Sequence, residues 1–101
     1  MKIITTASAG TMESSDIIVR IEPAEKPGIE IHLTSSVMQQ FGRQIEEAIR
    51  GTLGNLGVED ARVEAVDKGA LDCTIKARVE CAVFRSCGAS AEDIPWGGAV
   101  R

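Results

Sequence analysis

Leu71-Asp72-Cys73-Thr74-Ile75-Lys76-Ala77-Arg78-Val79-Glu80-Cys81-Ala82-Val83 fits two templates, and the choice between them decides the fold. Leu71, Cys73, Ile75, Ala77, Val79 and Cys81 alternate with polar residues, the pattern of a half-buried strand. Leu71, Ile75, Val79, Ala82 and Val83 also share one face at helical spacing. Length arbitrates. No turn signal separates Ala70 from Ser86, and strands seldom exceed about ten residues. Leu, Ala, Lys, Arg and Glu dominate over β-branched residues, and Asp72 would stand in the first turn, where the helix dipole favours an acid. The segment is read as a helix.

Working outward, Ala61-Arg62-Val63-Glu64-Ala65-Val66 alternates as a strand and stops at Asp67-Lys68-Gly69. Before it, Val37, Phe41, Ile45, Ile49, Leu53 and Leu56 define the apolar stripe of a long helix. Ser35 or Ser36 can cap its start, with Gln39 completing a capping box, and Gly57 supplies the left-handed residue that ends it. Glu46 and Arg50 form an i,i+4 pair on its polar side. Further out, Ile17–Glu22 and Ile29–Leu33 alternate well, separated by the turn Pro23-Ala24-Glu25-Lys26-Pro27-Gly28. Two such strands joined by a short turn are expected to pair antiparallel. Ile3–Ala9 is β-prone and weakly amphipathic, an edge strand. The fold expected is α+β: a mainly antiparallel four-stranded sheet in the order β-β-β-α-β-α, covered on one face by two helices. A single domain over 1–88 is followed by an aperiodic tail, 89–101, in which Trp96 either docks on the body or stands exposed.

The 101 residues suffice for one modest core. Apolar residues make up 44% and charged residues 26%, ordinary values for a globular domain. With 3% aromatics, that core is built from Ile, Val, Leu and Ala. A net charge of −4 disfavours nucleic acid as a partner, since phosphate binding needs a basic surface. No run is long enough to span a bilayer, and the N-terminus lacks the apolar core of a signal peptide. The three cysteines, Cys73, Cys81 and Cys87, read as reduced thiols, and a cytoplasmic location is expected.

Little of the chain is equipped for chemistry. There is no Cys-X-X-Cys pair, no His-X-X-X-His, no P-loop and no Gly-X-Gly-X-X-Gly. His32, the only histidine, falls beside Glu30 on the polar face of its strand and reads as a surface residue. Glu46-Glu47 reads as a solvated helix face, and Cys73 and Cys81 as buried or half-buried structural residues. No catalytic residue and no metal ligand set is assigned. Between the first two strands lies Gly10-Thr11-Met12-Glu13-Ser14-Ser15-Asp16, the expected tip of a hairpin, where Gly10 permits a positive φ. On its own physics Ser14 is an ordinary turn hydroxyl.

This tip closely resembles the N-terminal segment of the citrate lyase acyl carrier protein family, the gamma subunits of citrate lyase, which carry a serine in Gly-Thr-X-Glu-Ser-X-Asp. The resemblance continues through Ser35-Ser36-Val37, Gln40-Phe41-Gly42, Asp67-Lys68-Gly69-Ala70-Leu71-Asp72-Cys73, Ala77-Arg78-Val79-Glu80 and Pro95-Trp96, in family order. It implies a non-catalytic carrier with 2'-(5''-phosphoribosyl)-3'-dephospho-coenzyme A bound covalently at Ser14 through a phosphodiester. The implied partners are the citrate lyase alpha (transferase) and beta (lyase) subunits and a prosthetic-group transferase, with no nucleic acid and no membrane. The family commonly has glycine where this chain has Ser15, so a second hydroxyl stands beside the first. Ser14 is assigned because it directly follows Glu13, as the family's modified serine follows its glutamate. The related carrier subunit of malonate decarboxylase bears the same kind of group and is the alternative; a non-carrier ligand-binding or regulatory module is the other. Asp-Ser-Leu, the mark of the four-helix acyl carriers, is missing. The charges Lys68 and Asp72 are candidates for a docking surface.

Overall fold

The computed structural model describes residues 3–87, and its elements run β1 (Ala7–Gly10), β2 (Ile17–Glu22), β3 (Ile29–Ser35), α1 (Met38–Asn55), β4 (Ala61–Asp67) and α2 (Asp72–Ser86). The expected β-β-β-α-β-α order holds, and the ambiguous segment is helical. The tail, 89–101 with Trp96, lies outside the described residues.

The sheet order is β1-β2-β4-β3, which corrects one expectation. β2 and β3 do not pair with each other: β4 lies between them, antiparallel to β2 and parallel to β3. The lengths of the elements set the register of β4 on β3, and the right-handed sense usual for a β-α-β crossover chooses the side of β3 on which β4 lies. At 1.5 Å per residue the 18 residues of α1 return the chain about 27 Å, slightly more than the roughly 23 Å that a seven-residue strand advances. β4 therefore starts beside the start of β3, with Ile29 opposite Ala61 and Ser35 opposite Asp67. The connection with two prolines at Pro23–Gly28 is long enough to step over one strand. Two of the three pairings remain antiparallel, so the sheet is mixed and mainly antiparallel.

Both helices lie on one face. Ile17, Val19 and Ile21 of β2 and Ala61, Val63 and Ala65 of β4 point into the core, where they join Ile45, Ile49 and Leu53 of α1 and Ile75, Val79 and Val83 of α2. The open face is charged. Arg62 sits 3.5 Å from Glu22, 3.7 Å from Glu30 and 3.4 Å from Glu64, and His32 lies 3.2 Å from Glu30 on the same surface, as its strand position implied. Such half-exposed pairs contribute at most about 1 kcal/mol each.

The helix ends divide between success and correction. Gly57 has φ +72° and closes a complete Schellman motif: its N–H reaches Gly54 O at 3.1 Å, and that of Val58 reaches Leu53 O at 3.0 Å. The expected serine cap of α1 is absent; Val37 occupies the cap position, and its side chain makes no capping hydrogen bond. Ser35 is otherwise engaged, donating to Asp67 Oδ2 at 2.8 Å and accepting from Val37 N–H at 3.1 Å. β1 is shorter than Ile3–Ala9 because Ile4 and Thr5 turn their N–H groups onto Ser86 O at the end of α2. Cys73, expected buried or half-buried, is exposed in the first turn of α2, while Cys81 is half-buried as expected, and so is Cys87 at the end of the helix. Phe41 and Leu71, each expected on a buried stripe, are 46% and 70% exposed.

Candidate functional site

The parallel β3–α1–β4 unit sets where the site can be. β3 and β4 end together at Ser35 and Asp67, β2 begins opposite Asp67 at Ile17, and the β1–β2 tip therefore projects from that same end of the sheet. Both helices also begin there. Three segments far apart in sequence meet at this end: the tip at 11–16, the strand-to-helix step at 35–38 and the turn at 67–71.

The tip is fastened on both sides of its apex. Gly10 has φ +105°, and a Cβ there would run into the carbonyl of Ile17, so only glycine admits this hairpin. Thr11 Oγ1 donates to Asp16 Oδ2 at 2.6 Å and accepts from Glu13 N–H at 3.2 Å. Asp16 Oδ1 accepts from Ile17 N–H at 2.7 Å. The Asp16 carboxylate also receives a bidentate grip from α2: Arg78 Nε to Oδ1 at 3.1 Å and Nη2 to Oδ2 at 2.9 Å. Fork-to-fork pairs of this kind fix orientation as well as distance. Arg78 first, then the Thr11 hydroxyl and the Ile17 N–H, hold the Asp16 carboxyl far below the usual carboxylate range, so it stays ionised well below neutral pH. The pairing also raises the pKa of Arg78.

The backbone completes the attachment. Ser15 N–H donates to Lys68 O, and Lys68 N–H donates to Asp16 O, each at 2.8 Å, extending the β2–β4 ladder past the strand ends. The Lys68 turn is held in its own right by Asp67, which is fully buried. Its carboxylate accepts from the Ser35 hydroxyl, from Gly69 N–H at 3.0 Å and from Ala70 N–H at 2.9 Å. A buried carboxylate is tolerable only when its lone pairs are used in this way.

Ser14 stands at the apex of this frame. It is exposed, and its hydroxyl has no hydrogen-bond partner among the described residues. Ser15 is exposed too, but its backbone is committed to Lys68 and has φ +64°, a left-handed conformation unusual for a residue with a side chain. A glycine at this position would fit that φ without strain. Left-handed backbone costs an L-residue about 1–2 kcal/mol, and glycine returns about 0.5–1 kcal/mol of that through its freer unfolded chain. Ser15→Gly is therefore expected to raise stability by roughly 0.5 kcal/mol, a gain of about 2–4 °C in Tm for a domain of this size. A thermal melt that shifts downward would mean the Ser15 side chain does something for the fold.

The sequence reading singled out Ser14, Ser15, Lys68 and Asp72, and the structure places all four at one end of the sheet with Lys68 and Asp72 exposed. It missed Asp16–Arg78 and the role of Asp67. Nothing local links Asp16 to Arg78. Asp67 did leave a signal: strict alternation from Ala61 puts it on the inward face, where a carboxylate has to be satisfied by hydrogen bonds. Among the described residues no group of three or more His, Cys, Asp or Glu side chains could hold a metal ion.

A small α+β domain that presents an unencumbered hydroxyl on a fastened tip has the form of a carrier, and residues 4–86 match the acyl carrier family described as malonate decarboxylase delta subunit (MdcD). The chain is 54% identical to the citrate lyase acyl carrier protein of Escherichia fergusonii, over 96% of this chain and 98% of that protein. It is 55% identical to the citrate lyase acyl carrier protein of Streptococcus mutans, over 92% and 91%. The chain belongs to the citrate lyase acyl carrier protein family. Among solved structures, a Pseudomonas malonate decarboxylase hetero-tetramer in complex with malonate contains a chain similar to this one at TM-score 0.56 and 20% identity, covering 80% of this chain and 82% of that one. Homoserine kinase from Cytophaga hutchinsonii shares the same TM-score of 0.56 at 15% identity, with 38% of its chain covered. These two likenesses are of fold alone.

Proposed function

We propose that this chain is the carrier subunit of citrate lyase and that Ser14 is the point at which phosphoribosyl-dephospho-coenzyme A is attached through a phosphodiester. The observation that carries the reading is the apex itself: Thr11 and Asp16 are tied through their side chains, whereas Ser14 is exposed and its Oγ has no hydrogen-bond partner among the described residues; Ser15 Oγ has none either, but the Ser15 backbone is left-handed and bonded to Lys68. A hydroxyl so placed can be modified without disturbing a bond that the fold needs. The residues present fit the group, since a phosphodiester asks only for an accessible hydroxyl on a fixed backbone.

When bound, the group supplies a terminal thiol on which acetyl and citryl units are carried as thioesters. The work of the chain is positional. Asp16 and Arg78 anchor the tip to α2, the Ser15–Lys68 ladder anchors it to the sheet, and Ser14 is held out where a partner enzyme can reach it. Tethering replaces free encounters with local ones, at effective concentrations on the order of mM for a short flexible tether. Selection of the acid belongs to the partners, because the acyl group rides at the far end of the arm. The partners proposed are the transferase and lyase subunits of citrate lyase, and the prosthetic-group transferase that loads Ser14. Relatives at 54% and 55% identity named for citrate lyase favour citrate over malonate. No helix among the described residues is long and apolar enough to cross a membrane, and a cytoplasmic location is proposed.

Reconstitution tests this. Loaded, acetylated chain mixed with citrate lyase transferase and lyase subunits is expected to release oxaloacetate from citrate, and deacetylation of the arm is expected to stop it. Turnover only with malonate decarboxylase subunits would transfer the chain to the other system.

A further inference from the structure

Among the described residues, four of the five large apolar side chains that stand exposed lie at the end of the sheet that carries Ser14: Met12, Met38, Phe41 and Leu71. Two of them, Phe41 and Leu71, flank a groove of about 450 Å³ between the start of α1 and the β4–α2 turn. Its lining includes the buried Ile45, with Gly69 beside it, and the polar side chains of Gln44 and Asp72. Pockets that hold small planar ligands have volumes of this order, apolar walls and a few polar groups.

The groove lies within reach of the attachment point. Ser14 precedes Ser15, whose N–H is 2.8 Å from Lys68 O, and the next residue, Gly69, lines the groove. We infer that this groove receives the adenine ring of the nucleotide arm carried on Ser14, an inference that rests on the proposed attachment there. The chemistry of the lining selects that part of the arm. The Phe41 ring and the Leu71 side chain offer apolar surface to a flat base, and the Asp72 carboxylate and Gln44 amide offer acceptors for its exocyclic amino group. A citryl group is disfavoured by the same lining, because its carboxylates gain nothing from apolar walls and are repelled by Asp72. Phosphate and sugars separate the base from Ser14 Oγ, and this link has to span the step from Ser14 to Gly69. Tethering raises the local concentration of the base to the mM order, so that a contact too weak to hold free adenosine suffices. Docked by its base, the arm keeps its thiol end free to swing.

Isotope-labelled chain, co-expressed with its prosthetic-group transferase, tests the inference by NMR. Intact mass and peptide mapping first locate the arm on the tip peptide. Loading is then expected to shift the Leu71 methyl resonances and to give nuclear Overhauser contacts between these methyls and the adenine ring protons. The contacts of the base to Phe41 are expected to be lost in Leu71→Ser, a change at an exposed position that leaves the core intact. Mass on Ser14 with unchanged Leu71 methyls overturns the groove inference and leaves the attachment standing. Methyls that move only when the transferase subunit is added overturn it in favour of a protein-docking surface. A chain that gains no mass overturns both readings.

Discussion

Replacing Ser14 with alanine is expected to leave a folded chain that never acquires the nucleotide arm. The hydroxyl contributes no hydrogen bond among the described residues, so its removal leaves no partner unsatisfied, and exposed turn substitutions of this type stay within about 0.5 kcal/mol. The thermal melt should therefore superimpose on that of the parent, while intact mass shows complete loss of the added group. Ser15→Gly is the companion that makes the result decisive. It removes the neighbouring hydroxyl and relaxes the φ of +64° at that position, so loading should persist on a chain that melts slightly higher. Loss of the arm in Ser15→Gly with retention in Ser14→Ala would move the site by one residue. That outcome would also mean that a serine with its backbone committed to Lys68 can still be modified.

What the sequence disclosed follows from how local each signal is. The periods of β2, β4 and α1, and the Schellman stop at Gly57, arise from residues close together in the chain and were readable. So was α2, since its length is incompatible with a strand even though its alternation is not. The partner of each strand is a different kind of information. The Pro23–Gly28 turn allows β3 to lie beside β2, and only the return path of α1 forces β4 between them. Strand pairing in this domain depends on the span and the hand of the β3–α1–β4 crossover, which no window centred on the turn contains.

The site divides along the same line. Gly10, Ser14 and Asp16 are legible as a hairpin tip, and the resemblance supplies the significance of Ser14. The fastening of that tip is not legible, because Asp16 and Arg78 are 62 positions apart and Ser15 and Lys68 meet through backbone atoms. Main-chain contacts leave little trace in residue identity. The serine cap expected for α1 failed for a related reason: Ser35 is a good cap by type, and the buried carboxylate of Asp67 claimed its hydroxyl. Phe41 and Leu71 fit apolar stripes and yet stand exposed at the ends of those stripes, beyond the reach of the core, where the groove forms.

Gly10→Ala is expected to be among the most damaging single changes in the chain, and the reason can be separated from backbone strain alone. Gly10 and Gly28 have the same φ of +105°. An alanine at either has to adopt a left-handed backbone, at a cost of about 1–2 kcal/mol. Beyond that the two sites differ completely. A Cβ at Gly28 meets nothing within 4 Å, whereas at Gly10 it would overlap the Ile17 carbonyl and crowd Ile18, backbone atoms that cannot swing aside as a side chain does. Relief requires β1 to move away from β2 at the very rung, Gly10 opposite Ile18, from which the tip springs. A total loss of roughly 3 kcal/mol is expected for Gly10→Ala against about 1 kcal/mol for Gly28→Ala, or roughly 12–24 °C against about 4–8 °C in Tm. The tip should register the damage beyond the melt: with Thr11 and Asp16 displaced from Arg78, loading of Ser14 by the prosthetic-group transferase should slow even at temperatures where the domain is folded. Equal melting shifts for the two variants would mean that the strand edge at Gly10 is soft, and that the tip is held by Arg78 and Lys68 alone.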